Sequence, residues 1–400
     1  MELVRGGRIA TIDGLRGIAI VLVVWFHVWQ ISWQGAVVPY LNLSFQPFAA
    51  TGFLGVALFF FISGFVLMLP YAQAHLSGTA PPTVRHFFGR RFLKIVPSYV
   101  LCIVVLIATG FQTYATFGDA ARDVVFHLLF VHNWFGATNT SIDGVLWSLG
   151  VEIQFYVIFP LLVVLFVRRP LTATFALFAI ANVWRIACIL TPDHYYIEQR
   201  LAQLPGYIDF FAAGMLAAYA YVAIALERPE LAARRKIFTA VAAAGFVALL
   251  LLIYSCYVHR YDHEWPQGWA VEWRSALALA CMVAALGSLF AARSFQLVVA
   301  NRALLFMAAI SYNLYLWHQP IAIQLRAWHL PPFATPDPHN DPGWLLPYSF
   351  VAVLAAIAVA ALITYAFEQP ILRLGRRRRE LAPTVMPIAP ESLVESATSP

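Results

Sequence analysis

Charged residues are scarce in this chain of 400 residues: they make up 12% of it, whereas a soluble domain carries about a quarter. Hydrophobic residues account for 61%, and the mean hydropathy is +0.72. So much apolar surface does not fit inside one water-soluble core, which excludes a soluble globular protein. The composition therefore predicts an integral membrane protein that lies in a lipid bilayer.

Cysteine is also rare. The four cysteines lie in or beside apolar runs, and no C-x-x-C spacing occurs. This pattern excludes a disulfide framework and suggests no metal site, so we expect no metal cofactor. In a membrane protein, a net charge of +6 reflects basic cytoplasmic loops. We therefore expect no nucleic-acid partner.

Long apolar runs dominate the chain instead. A membrane-spanning helix needs about 20 mostly apolar residues, and ten such runs are present. The predicted fold class is an all-α polytopic membrane protein with about ten transmembrane helices. Residues 120–135 are short and amphipathic, which favours an interfacial or re-entrant helix over an eleventh span. The ten predicted spans are residues 10–32, 52–72, 92–111, 145–167, 171–191, 207–226, 237–257, 273–292, 303–327 and 346–367.

The basic residues predict how these spans are oriented. Most of the 26 lysines and arginines fall on one side of the ten spans. The positive-inside rule then places both termini in the cytoplasm. We divide the chain into a cytoplasmic N-terminus (1–9), a transmembrane domain (10–372) and a cytoplasmic tail (373–400) that is first basic and then disordered.

The first span, which contains "LRGIAIVLVVWFH", keeps Arg16 near one end and His27 at the other. Their spacing of ~11 residues, at ~100° per residue, brings both side chains to one helix face, ~16 Å apart along the axis. Such a pair can hold an anion near the cytoplasm and a base deeper in the membrane. A snorkelling arginine and a hydrogen-bonded core histidine would give the same pattern.

Glu152 lies one or two turns into the fourth span, where a carboxylate needs a partner. His27 is one candidate, because a carboxylate beside a histidine fixes its tautomer and raises its basicity. The structural alternative is an ion pair with Arg122 or Arg185.

Three other polar residues within spans are candidate ligand contacts. Ser63 either bonds a ligand or belongs to a small-residue packing face of the second span. Tyr315 and His318 are three residues apart and share a broad face of the ninth span. His318 can bind an acceptor or pair with Glu152.

A basic cluster, "RHFFGRRFLKIVP", precedes the third span. The planar guanidinium groups of Arg90 and Arg91 suit a phosphate, and Lys94 adds a further charge. The start of a helix also favours an anion. A nucleotide-like phosphate donor and ordinary positive-inside anchoring explain this cluster equally well.

The order of these motifs resembles that of one family. "IDGLRGIAIVLVVWFH", "GVALFFFISGF", "RRFLKIVPSY", "LWSLGVEIQFY", "ISYNLYLWH" and "FEQPI" follow one another over residues 10–372. The series resembles the acyltransferase type 3 family, the bacterial membrane O-acyltransferases that modify sugars and other extracytoplasmic molecules.

The resemblance implies that residues 10–372 form an acyltransferase type 3 domain that takes acyl groups, commonly acetyl, from acyl-CoA. It implies that Arg16 and His27 form the essential pair, with His27 as the general base. The motif that holds coenzyme A phosphates is matched by Arg90 and Arg91, and other characteristic positions by Glu152, Tyr315 and His318.

The chain departs from the family pattern at three places. Ala57 and Ile153 stand where relatives often carry an acid, and "FEQP" replaces "ERP". These changes weaken any role for the second-span motif and leave the first-span pair unaffected. Many relatives add a soluble hydrolase-like domain. None is recognised here, so the expectation is a stand-alone enzyme.

The sequence thus predicts a multi-pass acyltransferase of a bacterial inner membrane. His27, oriented by Glu152 or another acceptor, deprotonates a hydroxyl of a sugar-containing acceptor: a polysaccharide, a lipid-linked glycan or a glycosylated metabolite. Both direct transfer and a transient acyl-histidine fit the residues. The alternative is a transporter or flippase for a lipid-linked glycan or an anionic metabolite, because buried Arg, His and Glu also build proton relays. Donor binding is assigned to Arg16, Arg90, Arg91 and Lys94, and substrate binding to Ser63, Tyr315 and His318.

Overall fold

A computed structural model describes residues 9–33, 37–38, 43–191, 197–261 and 267–380. The predictions for residues 1–8 and 381–400 lie outside these described residues. Two short strands, β1 (Val37–Val38) and β2 (Leu43–Ser44), pair in antiparallel register. The helices are α1 (Ala10–Ser32), α2 (Gln46–Ala50), α3 (Leu54–Ser77), α4 (Val84–Ala108), α5 (Phe117–Leu128), α6 (Trp147–Arg168), α7 (Pro170–Leu190), α8 (Ile197–Leu201), α9 (Leu204–Glu227), α10 (Pro229–Ala232), α11 (Arg235–Val258), α12 (Gln267–Phe290), α13 (Arg293–Val299), α14 (Arg302–Ala327), α15 (Pro342–Ile363) and α16 (Gln369–Glu380).

Within the described ranges, nine helical segments are long and apolar enough to cross a membrane, and the bent pair α13 and α14 makes a tenth. This confirms the predicted all-α polytopic membrane protein. Helix α4 begins at Val84, earlier than expected, because Thr83 caps it by accepting a hydrogen bond from the backbone N–H of His86. Helix α5, with 12 residues, reaches only ~18 Å and is too short to span.

Consecutive spans alternate in direction, so the bundle has two distinct ends. One end carries the starts of α1 and α4 with Arg16, Arg90 and Arg91, and is called the basic end. The other, called the far end, carries the end of α14 and the start of α6. The sequence predicts that the basic end faces the cytoplasm.

The centre of the bundle is the contact between α3 and α9. A Cβ at Gly64 would lie 2.2 Å from the carbonyl oxygen of Phe211, and one at Gly214 would lie 2.0 Å from that of Phe61. Only glycine permits backbones this close, and close approach is how helices associate inside lipid. The small residues of the second span therefore do pack, as one of the two sequence interpretations stated.

Helix α1 is held between α3 and α14 by close backbone contacts of the same kind. A Cβ at Gly17 would lie 2.2 Å from the carbonyl oxygen of Leu304 in α14, and one at Gly55 of α3 would lie 2.5 Å from that of Ala19. These contacts leave α1 little freedom to rotate or slide. They therefore fix where Arg16 and His27 point.

A π-helical turn, Thr364–Glu368, ends the span that begins as α15. Such turns redirect side chains and are frequent at functional sites. Here the turn brings Thr364 Oγ1 and Glu368 Oε2 to 2.9 and 3.0 Å from the amide nitrogen of Asn313. The carboxylate of Glu368 is thereby held in a buried position beside α14.

Candidate active site

The two histidines of the site are in direct contact. His27 Nδ1 lies 2.9 Å from His318 Nε2. His318 Nδ1 lies 2.9 Å from the backbone oxygens of both Leu314 and Tyr315, which only accept, so this nitrogen carries the hydrogen. In neutral His318, Nε2 is then an acceptor, and His27 Nδ1 must donate to it. The carbonyl oxygen of Val23, 3.0 Å from His27 Nδ1, favours the same tautomer.

This tautomer leaves the lone pair of His27 on Nε2. That nitrogen forms no hydrogen bond with any residue that the structure describes, and His27 is half-buried, whereas His318 is fully buried. A neutral imidazole with a fixed N–H on one side and a lone pair on the other has the form of a general base.

Glu152 does not orient His27. Its Oε1 accepts hydrogen bonds from Ser63 Oγ at 2.9 Å and from Tyr156 Oη at 2.5 Å, while His318 takes the place beside His27 that the sequence interpretation gave to Glu152. The expectation that His318 pairs with Glu152 is wrong for the same reason.

The alternative arginine partners of Glu152 are engaged elsewhere. Arg185 is fully buried, and its Nη2 donates to both carboxylate oxygens of Asp209, at 2.7 and 2.8 Å. Arg122 pairs with Asp119, 3.2 Å away in the next turn of α5. Neither arginine neutralises Glu152.

The bundle holds an inner cavity of about 340 Å³, and neither His27 nor His318 is among the described residues that line it. Tyr315 lines this cavity, and its ring centroid is 6.0 Å from that of His318. Its hydroxyl is fixed by Ser148 Oγ at 2.6 Å and by the backbone oxygen of Val145 at 3.0 Å. Tyr315 therefore forms the wall between the cavity and the histidines. The polar lining of the cavity includes Arg16, Ser63, Arg91, Lys94, Ser148, Glu152, Tyr156, Tyr312 and Tyr315.

An outer cavity of about 640 Å³ lies at the basic end. Arg16, Arg90 and Arg91 line it, together with Asp13 and His86. Arg16 and Arg91 also line the inner cavity, so the two cavities meet at these arginines. The sequence grouped Arg16 with the α4 cluster only by charge, and the fold brings them to one entrance.

Lys94 differs from the arginines of its cluster. It lines the inner cavity and forms an ion pair with Glu368. Its ammonium also lies 5.5 Å from the ring centroid of Tyr312. The charge of Lys94 is largely compensated within the protein, which weakens its assignment to donor phosphates.

A second buried polar cluster, absent from the sequence interpretation, lies at the far end. His127 Nδ1 is 3.1 Å from Asp123 Oδ1, and its ring stacks on that of His132 with centroids 4.0 Å apart. Burial lowers the pKa of His132 to about 3. Burial also raises the pKa of Asp143 to about 8, although the nearby backbone N–H groups of the next two residues act against the rise. Asp143 lies two residues before Val145, whose backbone oxygen accepts the hydrogen bond from Tyr315.

Comparison with known proteins agrees with this architecture. Residues 9–367 match a family model described as an acyltransferase domain. The chain belongs to this acyltransferase family. The predicted resemblance is thereby confirmed. No solved structure matches the chain significantly.

Several bacterial relatives are similar over most of the chain. The O-acetyltransferase OatA of Staphylococcus aureus strain MRSA252 is 22% identical over 94% of this chain and 60% of its own length. The peptidoglycan O-acetyltransferase OatA of Listeria monocytogenes is 23% identical over 78% of this chain and 49% of its own length. The chain thus spans about half to three fifths of these relatives.

Proposed function

We propose that the protein transfers an acyl group, acetyl in the first instance, from acyl-CoA to a hydroxyl of a carbohydrate acceptor. The observation that carries this proposal is the histidine pair. It leaves a lone pair on His27 Nε2, Tyr315 connects the pair to the inner of two cavities, and arginines line the outer cavity. Membership of the acyltransferase family supports the same chemistry.

The donor enters from the basic end, which faces the cytoplasm in this proposal. Arg90 and Arg91 bind its phosphates at the outer cavity, because guanidinium groups bind phosphate bidentately. Arg16, at the junction of the cavities, adds a third positive charge. The acyl-bearing arm then lies in the inner cavity and directs the thioester towards Tyr315 and the histidines.

His27 acts as the general base and His318 as its positioning residue. His27 Nε2 takes the proton of the acceptor hydroxyl as the oxygen bonds to the thioester carbonyl carbon. The carbon–sulfur bond breaks, and His27 returns the proton to the sulfur. The products are the ester and the free thiol. Base catalysis and positioning of the two substrates supply the rate.

The acceptor approaches from the far end and carries sugar hydroxyls. The Listeria relative is named a peptidoglycan O-acetyltransferase, which favours a cell-envelope glycan as the acceptor class. In this proposal the protein lies in the inner membrane of a bacterium with both termini in the cytoplasm, so the acyl group crosses the membrane during transfer.

The test is release of free thiol from acetyl-CoA by the purified protein in nanodiscs, with and without glycan acceptors. We expect release that a suitable acceptor accelerates and that His27→Ala lowers by about 10²- to 10⁴-fold, the usual contribution of a general base. The matched control is His259→Ala, since His259 is exposed at the far end. A folded protein that neither binds nor cleaves acetyl-CoA would favour the transporter alternative.

A further inference from the structure

The carboxylate of Glu152 is displaced from the histidine pair along the membrane normal. Ser148 and Tyr315 are in contact, which sets a common level for α6 and α14. Glu152 lies four residues, ~6 Å, towards the basic end from Ser148. His318 lies three residues, ~4.5 Å, towards the far end from Tyr315. Along the helix axes, Glu152 is thus ~10 Å from the histidine pair. It is too far to act on the reacting atoms, so we look for its role where the donor binds.

The hydrogen bonds of Glu152 leave one of its oxygens available. Oε1 accepts hydrogen bonds from both Ser63 and Tyr156. Oε2 forms no hydrogen bond with any described residue, and Glu152 lines the inner cavity. A carboxylate oxygen in this position accepts from an N–H or O–H of a bound molecule, and such charge-assisted bonds are strong.

The two cavities share Arg16 and Arg91 and differ in their other charged residues. Three arginines line the outer cavity, and Arg91 also lies over the ring of Tyr156, 5.5 Å from its centroid. Beyond these shared arginines, the inner cavity is lined by the Lys94–Glu368 ion pair and by the carboxyl group of Glu152. Phosphate is attracted to the outer cavity and to the two arginines at the junction. The inner cavity suits an uncharged group that donates hydrogen bonds.

We propose that Glu152, held by Ser63 and Tyr156, binds an amide N–H or hydroxyl of the neutral arm of a coenzyme A thioester. This proposal rests on the proposed function, because it assigns the arm of the same donor to a site. Glu152 is then a donor-binding residue, whereas the sequence interpretation gave it the role of orienting the catalytic His27. It also marks the point along the path where the charged nucleotide ends and the neutral arm begins.

The binding test compares coenzyme A with adenosine 3′,5′-bisphosphate, which has the nucleotide but no arm. Glu152→Gln keeps the size of the side chain and removes its charge. We expect it to weaken coenzyme A binding by about 10- to 150-fold, the loss of a charge-assisted hydrogen bond, and to leave the bisphosphate unaffected. Arg90→Gln weakens both. The matched control, Glu230→Gln, alters an exposed glutamate of the basic end.

The kinetic test uses acetyl-CoA, acetyl-pantetheine and S-ethyl thioacetate, which lacks N–H and O–H groups. Glu152→Gln lowers kcat/KM for the first two and leaves the third unchanged. An equal loss with all three donors overturns the proposal, since Glu152 then acts on the reaction itself. Unchanged binding of coenzyme A also overturns it. If Glu152→Gln does not fold, Ser63→Ala replaces it in the same test. Its kcat/KM then falls for the two donors that carry the arm and not for S-ethyl thioacetate, and the fall is smaller than expected for Glu152→Gln.

These outcomes separate this proposal from the proposed function. If the wild type transfers acetyl groups but Glu152→Gln binds coenzyme A as tightly as the wild type, only the role of Glu152 is overturned. A wild-type protein that binds neither coenzyme A nor the bisphosphate overturns both.

Discussion

Replacement of His318 by leucine tests whether the histidine pair works as a unit. The change removes the acceptor of the His27 Nδ1–H, now 2.9 Å away. During reaction His27 becomes charged, and a hydrogen bond from a charged group contributes about 1.5–3 kcal/mol. We therefore expect kcat to fall by about 10- to 150-fold. The effect stays below that of His27→Ala because the Val23 carbonyl oxygen still favours the same tautomer.

The assay is acetyl transfer at saturating acetyl-CoA by four proteins: the wild type, the two single variants and the double variant. His318 contacts neither cavity, so the KM for acetyl-CoA stays unchanged in His318→Leu. The double variant is no slower than His27→Ala alone, because His318 acts only through His27. His259→Leu at an exposed site is the matched control.

Two results would refute this reasoning. If the losses of the two single variants multiply in the double variant, His318 contributes independently of His27, and the pair is not a unit. If His318→Leu retains full kcat, the contact between the rings has no part in the reaction, and another group must orient the base.

Other consequences of the structure can be measured by thermal unfolding in detergent. Gly214→Val places atoms against the Phe61 backbone in α3, so we expect the free energy of unfolding to fall by about 1–3 kcal/mol or more, with a lower Tm. The control is Gly118→Ala, which changes the Tm little because Gly118 is not crowded. Lys94→Met removes the ion-pair partner of the buried Glu368 and lowers the free energy of unfolding by about 1–3 kcal/mol. The loss is smaller than for a fully buried pair because Lys94 is partly exposed. Adding Glu368→Gln restores the Tm, and a double variant with a Tm as low as that of Lys94→Met would contradict the pairing. Folded Asp143 keeps its proton up to a pKa of about 8, while the unfolded chain loses it near 4, so rising pH favours unfolding. Between pH 6.5 and 8, wild-type stability falls by up to about 1.4 kcal/mol per pH unit more than that of Asp143→Asn. Equal slopes would show that Asp143 is ionised in the folded protein.

The spans could be predicted from the sequence because lipid imposes a one-dimensional rule. Every backbone polar group in the bilayer must be bonded within its own helix, so each crossing appears as a run of apolar residues. The exception is α4, which begins at Val84 in a basic segment that no hydropathy rule assigns to a span. Its start depends on the Thr83 cap, a local signal of a different kind.

The partner of His27 could not be predicted in the same way. Spacing placed Arg16 and His27 on one face of α1 but gave no information on which helix that face meets. Gly17 decides this, because it lets the backbone of α14 approach α1, and His318 of α14 then meets His27. One local contact was accessible: Glu152 and Tyr156 are four residues apart on α6, a spacing at which helical side chains meet.

Charge alone also failed to separate the members of the basic cluster. Arg91 and Lys94 lie one turn apart on α4, yet only Lys94 meets a buried carboxylate, because the π-helical turn carries Glu368 to its level. Arg91 remains at the junction of the two cavities, over the ring of Tyr156. The positive charges that can attract a phosphate are therefore concentrated at the entrance, and the inner space is left to the neutral part of the donor. A donor that is anionic at one end and neutral at its reactive end fits this sequence of charges, whereas a transported anion would meet Glu152 on its way through the membrane.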